Sequence, residues 1–232
     1  MSSFQDKEGV VILLDSLGTK GIWKSRNPEE VLVSWQGVID STNVDVLACR
    51  DNGIDLKFNA FSDTMIITLT GDDKEKILEE AGTTLNSIIS VGIPHGINFR
   101  GCISMGKIYR SEIMVLGDAI DEAAEYYEKS NWVGAFATPS VSNCLDSISS
   151  TSIWNSFTKY DVPFHDDKSK GTEKPFPTWA VILTDRIAGN LENNHLSTII
   201  PPRITASSGS IAKKWQNTLD FLNHTEKLKK GL

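Results

Sequence analysis

Two aspartates stand where the chain leaves hydrophobic runs. Asp15 follows Val10 to Leu14 (VVILL) and opens DSLGTKG, a glycine-containing loop. Asp63 lies in AFSDTMII, between two strand-like runs. Singly, each reads as a turn residue, since Asp caps strand ends and favours hairpin tips. Together they say more. If their strands are neighbours, both carboxylates project from one sheet edge, and such a like-charged pair is costly without a cation between them. Two hard, oxygen-ligated divalent cations (Mg²⁺ or Mn²⁺) resolve that cost. Backbone amides in the loop after Asp15 can approach phosphates. A third stretch, Arg100 to Lys129 (RGCISMGKIYRSEIMVLGDAIDEAAEYYEK), reads as two strands and a sharp turn at Gly117 into a helix. Its Ala119, Ala123 and Ala124 suit close packing on the sheet or on a second subunit.

The other reactive residue types offer less. His95 sits in a turn, GIPHGINF, and His165, His195 and His224 lack metal-ligand spacing. No Ser/His/Asp or Cys/His arrangement can be argued. Cys49, Cys102 and Cys144 are odd in number and show no CxxC, which argues against a disulfide framework and for a reducing, cytoplasmic compartment. With 23 Lys+Arg against 30 Asp+Glu, net charge -7, and no basic stripe beyond the KLKK tail, nucleic-acid binding is not expected. A polyanionic small molecule stays open if metal ions mediate. No apolar stretch reaches membrane-spanning length, and the N-terminal MSSFQDKEG has no signal-peptide core. The 232 residues, 40% hydrophobic and 23% charged, describe one generous soluble domain or a domain with a terminal extension.

These residues need elements to position them. The VVILL run predicts a buried strand ending at Asp15. Asn27, Pro28, Glu29 and Glu30 predict a helix start, with apolar spacing to about Ile39. Asp55 to Phe61 and Thr64 to Leu69 predict a hairpin. From Asp72 or Asp73 a helix carries Ile77, Leu78, Ala81, Leu85, Ile88 and Ile89 on one face. Strands follow at Asn98 to Met105 and Met114 to Leu116, then a helix from Asp118 to about Lys129. A brief strand at Ala135 to Ala137, a short helix from Thr138 and Pro139, and strands near Tyr160 and at Thr178 to Leu183 complete this part. The order β-α-β-β-α-β-(β)-α-β describes a layered α/β sandwich on a mixed or antiparallel sheet. Residues 1–185 read as the main domain. Residues 186–232 read as an irregular segment, to Ser210, followed by one amphipathic helix through Ile211, Trp215, Leu219, Leu222 and Leu228.

Five motifs in order resemble one family, the class III nucleotidyl cyclases. Asp15 to Gly18 (DSLG) is similar to its D-x-x-G opening. Phe61 to Asp63 stands where the family has its metal-binding hairpin. RGCISMG resembles R-x-G-I-x-x-G, and VLGDAIDEAA resembles V-I-G-D-x-V-N-x-A-A-R. Lys170 and Gly171, before PFPTWAVIL, resemble the late K-G strand motif. The resemblance spans residues 8–185. Asp121 and Glu125 replace the family's usual Asn and Arg. Asn59 and Met114 occupy the base-reading positions and match neither the adenine nor the guanine pair. The run GDAIDEAAE and the compact size look most like the pyrimidine cyclases of bacterial Pycsar anti-phage systems.

That resemblance implies a class III sandwich with a central, mostly antiparallel sheet, a C-terminal helical extension, and a head-to-tail homodimer with active sites at the interface. It implies two divalent metals (Mn²⁺ or Mg²⁺) held by Asp15 and Asp63, with the Ser16 carbonyl as a further ligand. Leu17, Gly18 and Thr19 would cradle phosphates by their amides, and Lys170 would hold the triphosphate. Asn59 and Met114 would meet the base, with Asn59 turning its amide to suit uracil or cytosine, and Asp121 would act from the second subunit. Arg100, Arg110 or Lys107 would replace the missing Arg. The implied reaction is UTP to 3',5'-cyclic UMP and pyrophosphate, a signal in anti-phage defence read by a separate effector protein. Cytidylate or atypical adenylate cyclisation, and a cyclase-like domain that binds nucleotide without turnover, are the alternatives. The last draws on Glu125.

Overall fold

The computed structural model describes residues 5–18, 26–111, 114–149, 152–165, 173–183, 196–207 and 209–231. The strands are β1 (Gln5–Leu17), β2 (Asp55–Phe61), β3 (Thr64–Thr70), β4 (Asn98–Arg110), β5 (Val115–Leu116), β6 (Gly134–Ala137), β7 (Phe157–His165) and β8 (Glu173–Val181). The helices are α1 (Pro28–Asp51), α2 (Lys74–His95), α3 (Asp118–Tyr126), α4 (Pro139–Ser147), α5 (Leu196–Ala206) and α6 (Gly209–Lys229). The strands form one sheet in the order β2-β3-β1-β4-β6-β8-β7, with β5 beside β4. Every pairing is antiparallel except β4 with β6. This is the expected α/β architecture, a mostly antiparallel sheet with helices packed on it.

The β-branched VVILL run makes β1 central, buried on both faces between β3 and β4. On one face Phe99 meets Trp35 of α1 edge-on and lies under Gly92 of α2. On the other, Ser104 and Cys102 donate to the Ala119 and Ala123 carbonyls, so α3 covers the middle of the sheet there. Helix starts follow their caps. The Asn27 side chain accepts from the Glu29 amide at 3.0 Å, and Asp73 accepts from Glu75 and Lys76 at 3.0 and 3.2 Å.

Several boundaries differ from expectation: β1 passes Asp15 to reach Leu17, β8 spans Glu173–Val181 rather than Thr178 to Leu183, and α3 stops at Tyr126 rather than near Lys129. Helix α1 runs to Asp51 rather than Ile39, because Ser34 and Thr42 turn their hydroxyls back onto the Glu30 and Val38 carbonyls and so sit inside the packed face. Strand β4 continues past Met105 to Arg110 by pairing with the start of β1. The segment expected to be irregular up to Ser210 contains α5, which includes Pro201 and Pro202. There tertiary anchoring outweighs the proline penalty: Leu196 and Ile200 are buried, and Arg203 donates to the Ile93 carbonyl at 2.6 Å and lies over the Trp215 ring at 5.1 Å. Leu196, Ile200, Trp215, Phe221 and Leu222 belong to the same hydrophobic core as the sheet. Among the described residues, no helix is long and apolar enough to cross a membrane.

Candidate active site

The site begins with strand register. Asp15 lies opposite Thr64 of β3 and Arg100 of β4. Asp63 immediately precedes Thr64, and its carbonyl accepts from the Ser16 amide at 2.8 Å. That bond ties the end of β1 to the β2-β3 tip, so both carboxylates belong to one end of the sheet. The tip is a two-residue connection with Ser62 at φ 57, a conformation that a side-chain-bearing residue adopts at some cost.

Arg100 is the companion that spacing alone did not single out. Its Nε donates to Asp15 Oδ2 at 3.1 Å, its Nη2 forms an ion pair with the same oxygen at 3.0 Å, and its Nη1 donates to the Glu128 carbonyl at 2.8 Å. The Glu128 carboxylate is 3.7 Å away. Only 14% of the Arg100 side chain and 15% of that of Asp15 are exposed, so water screens this pair weakly. Burial pushes the Asp15 carboxyl above its ordinary range. Arg100 opposes that by charge and hydrogen bonding, while Asp63 and Glu128 push further up. Burial also pushes up the neighbouring Tyr127 hydroxyl, with the charges of Glu128 and Asp15 adding to it.

This donor set suits a hard cation. Among the described residues no cluster of three His, Cys, Asp or Glu forms. Magnesium-like ions do not require one, since they keep several waters and bind through one or two carboxylates plus substrate phosphates. Both Arg100 contacts fall on Oδ2 of Asp15. Leu17 pairs with Asn98, and Gly18, at φ 81, turns the chain out of the strand in a left-handed conformation. Thr19 and Lys170 lie outside the described residues.

A second polar group sits on the same sheet face, further along. Arg110 Nη2 donates to Asn59 Oδ1 at 2.6 Å, and its Nη1 donates to Thr68 Oγ1 at 2.8 Å. Arg110 pairs with Val115 of β5, and the Met114 carbonyl accepts from the Ser111 amide at 2.9 Å, which places Met114 on the β5 side of β4. This alters the expectation for Asn59. The bond from Arg110 turns its oxygen toward the guanidinium and its NH₂ away from it. Met114 is 41% exposed, Leu116 49% and Phe61 84%.

On α3, Ala119 and Ala123 are buried against the sheet, whereas Ala124, Asp121 and Glu125 are exposed. Glu125 pairs with Lys129 at 2.9 Å. Gly117 makes the preceding turn at φ 127, and a Cβ there would stand 2.2 Å from the Lys107 carbonyl oxygen. Lys107 is exposed on β4. Of the three cations expected to replace the missing Arg, Arg100 joins Asp15 and Arg110 joins Asn59.

No family model matches the sequence, and no curated protein is similar to it. Solved structures are similar in fold. The catalytic core of a rhodopsin-guanylyl cyclase with converted specificity, in complex with ATPalphaS, superposes with a TM-score of 0.56 at 13% identity, covering 79% of this chain and 100% of that one. A non-canonical dimeric guanylyl cyclase domain from the aquatic fungus Blastocladiella emersonii gives 0.55 at 14% identity, covering 78% and 97%. The guanylate cyclase domain of RhGC from Catenaria anguillulae, in complex with GTP, gives 0.53 at 12% identity, covering 77% and 98%. The chain therefore carries the fold of the class III nucleotidyl cyclase domains.

Proposed function

We propose that this chain is a nucleotidyl cyclase that converts UTP to 3',5'-cyclic UMP and pyrophosphate. The observation that carries the reading is the meeting of Asp15 and Asp63 at one end of the sheet, inside a cyclase fold. The ribose 3'-oxygen attacks the α-phosphorus, the bond to pyrophosphate breaks, and the hydroxyl proton passes to water. When bound, two divalent cations lower the pKa of that hydroxyl and neutralise the triphosphate. Asp15 and Asp63 hold them, with the Ser16 carbonyl beside, and Leu17, Gly18 and Thr19 present amides to the phosphates. Lys170 supplies a further positive charge. Arg100 keeps Asp15 ionised and oriented, against the burial that favours its protonated form. Sites lie between two copies of the chain, with Asp121 acting across the interface. Residues 1–185 form the catalytic unit.

The base assignment rests on Arg110 and Asn59. With the Asn59 oxygen turned toward Arg110, the edge these two side chains present is rich in donors. A donor edge suits uracil, which presents carbonyl oxygens. The cytosine and adenine amino groups would meet donors instead. Met114 fills space and favours the smaller ring. Guanine also presents acceptors, which makes guanylate cyclisation the second reading. The anti-phage role, with a separate effector for the product, rests on the resemblance of GDAIDEAAE to the pyrimidine cyclases of defence systems.

The test is kcat/KM for UTP, CTP, GTP and ATP with Mn²⁺, products identified by mass spectrometry. UTP is expected first. GTP first supports the second reading, and CTP or ATP first overturns the donor-edge argument. Binding of nucleotide with no product from any of the four overturns the cyclase reading in favour of a binding domain.

A further inference from the structure

Helix α3, which carries Asp121, has little apolar surface to hold it. Its fully buried side chains are Ala119 and Ala123, and Ile120 and Tyr126 are partly buried. Methyl groups set the height of a helix over a sheet but interlock too little to fix its rotation. Polar bonds do more. Ser104 and Cys102 of β4 donate to the Ala119 and Ala123 carbonyls. Asp118, Asp121 and Glu125 are exposed, whereas Glu122 is partly buried and its carboxylate reaches a neighbouring helix.

That neighbour is α4. Strand β6 ends at Ala137, opposite Ile103, and the chain enters α4 through Thr138. Thr138 holds the N-cap position, but its hydroxyl donates to the Ile103 carbonyl at 3.1 Å and makes no cap bond. Glu122 supplies the cap from another helix. Its Oε1 accepts from the Ser140 amide at 3.0 Å, and its Oε2 accepts from the Ser140 hydroxyl. A negative charge is favourable at the start of a helix. The Ser140 hydroxyl in turn accepts from the Met105 amide at 2.9 Å, so it continues the β4 ladder where β6 stops. One carboxylate thus ties α3 to α4 and, through one hydroxyl, to β4.

We propose that Glu122 is a positioning residue for the cyclisation: it fixes the rotation of α3 and, with it, the place of the adjacent Asp121 at the second subunit's site. The proposal rests on the reading of Asp121 as acting across the dimer interface. Consecutive residues stand about 100° apart around a helix, so Glu122 faces α4 while Asp121 stays exposed. A helix released from α4 can turn on its two alanines, and Asp121 turns with it.

The test uses the full chain. Glu122→Ala is expected to lower kcat/KM about 10- to 100-fold, the scale of a small misplacement of a site residue. Glu122→Gln should restore most of it, because its amide oxygen still accepts from Ser140. Ser140→Ala, which spares the amide bond, should show a smaller loss, and it reads the same contact from α4 should Glu122→Ala fail to fold. Mixed dimers separate positioning from general damage. Co-refolded with Asp63→Ala chains, Glu122→Ala chains should regain activity, since each mixed dimer keeps one site with a sound α3 and both aspartates. Co-refolded with Asp121→Ala chains they should regain none, because every site then carries a defective α3. Amide exchange read by mass spectrometry needs no turnover: Glu122→Ala should speed exchange across α3 about 10-fold and leave that of α2 unchanged. Wild-type exchange across α3, full activity in a folded Glu122→Ala protein, rescue by Asp121→Ala chains, or no rescue by Asp63→Ala chains overturns the proposal. A wild type that turns over no nucleotide, with α3 loosened in Glu122→Ala, supports Glu122 as the anchor of α3 and overturns the cyclase reading instead.

Discussion

Replacing Arg100 by Gln removes one hydrogen bond and the ion pair from Asp15 and one hydrogen bond from the Glu128 carbonyl, while most of the side-chain volume remains. Hydrogen bonds to charged groups contribute about 1.5–3 kcal/mol each in net terms. Breaking a buried ion pair on one side costs about 3–5 kcal/mol, because the other charge stays behind. Asp15 is 15% exposed, so water recovers part of that loss and about 2–4 kcal/mol is expected. For a chain of this size, that is a fall of roughly 5–15 °C in Tm. The pH dependence follows from the direction of the Asp15 shift. Burial already raises its native pKa, and removing Arg100 raises it further. A carboxyl with a raised native pKa binds more protons folded than unfolded. Stability then falls as pH rises from the unfolded value through the native one. The gap between wild type and Arg100→Gln should therefore be wide at pH 8 and narrow toward pH 4. Mn²⁺, a substitute countercharge, should close part of it at pH 8. Calorimetric melting at both pH values, with EDTA and with Mn²⁺, reads this out, and Asp15→Asn in the Arg100→Gln background should recover about 1–3 kcal/mol as coupling. A gap that widens on acidification, or a Tm unmoved at pH 8, would refute the argument that Arg100 compensates a buried carboxylate.

Other outcomes follow from the same geometry. Asp63→Asn should lower cyclisation more than about 100-fold, since metal-ion catalysis supplies several kcal/mol, while Tm moves only slightly; turnover close to wild type would remove Asp63 from the metal site. Co-refolding equal amounts of Asp63→Ala and Asp121→Ala chains should yield about 25% of wild-type activity, because half the dimers are mixed and each mixed dimer keeps one intact site. Activity no greater than that of either variant alone would mean sites contained within single chains. Gly117→Ala should destabilise the fold by about 2 kcal/mol or more, since its Cβ would meet the Lys107 carbonyl at 2.2 Å with φ at 127; an unchanged denaturation midpoint would contradict the turn.

Much of the fold was legible from local chemistry. The VVILL run, the hairpin and the caps at Asn27 and Asp73 act within a few residues of themselves, and the structure follows them. What escaped were features fixed by distant partners. The polar stretch after Ile39 gives no apolar period, because Thr42 is buried with its hydroxyl turned onto its own helix. Pro201 and Pro202 read as a break, but the burial of Leu196 and Ile200 holds α5 in place. In the site, Asp15, Asp63 and Arg100 stood in the motifs, but the Asp15–Arg100 pair becomes visible only once β1 is known to lie beside β4. The docking of α6 carried no comparable signal, since Asn217 and Thr218 look like ordinary surface residues until their partners at Asn131 and Val133 are seen.

The central position of β1 also dictates when this molecule can fold. Strand β1 precedes both of its partners in the chain, and the Asp15–Arg100 contact spans 85 residues. Until β3 and β4 have left the ribosome, VVILL has nothing to pair with and remains an apolar segment open to aggregation or chaperone binding. Closing so long a loop adds little to the final free energy, since each doubling costs only about 0.6 kcal/mol, but it slows the search for the native pairing. The hairpin of β2 and β3, joined by two residues, is the local nucleus onto which β1 must dock, with β4 sealing its other edge. Shortened chains ending before Arg100 would hold both aspartates and no assembled site.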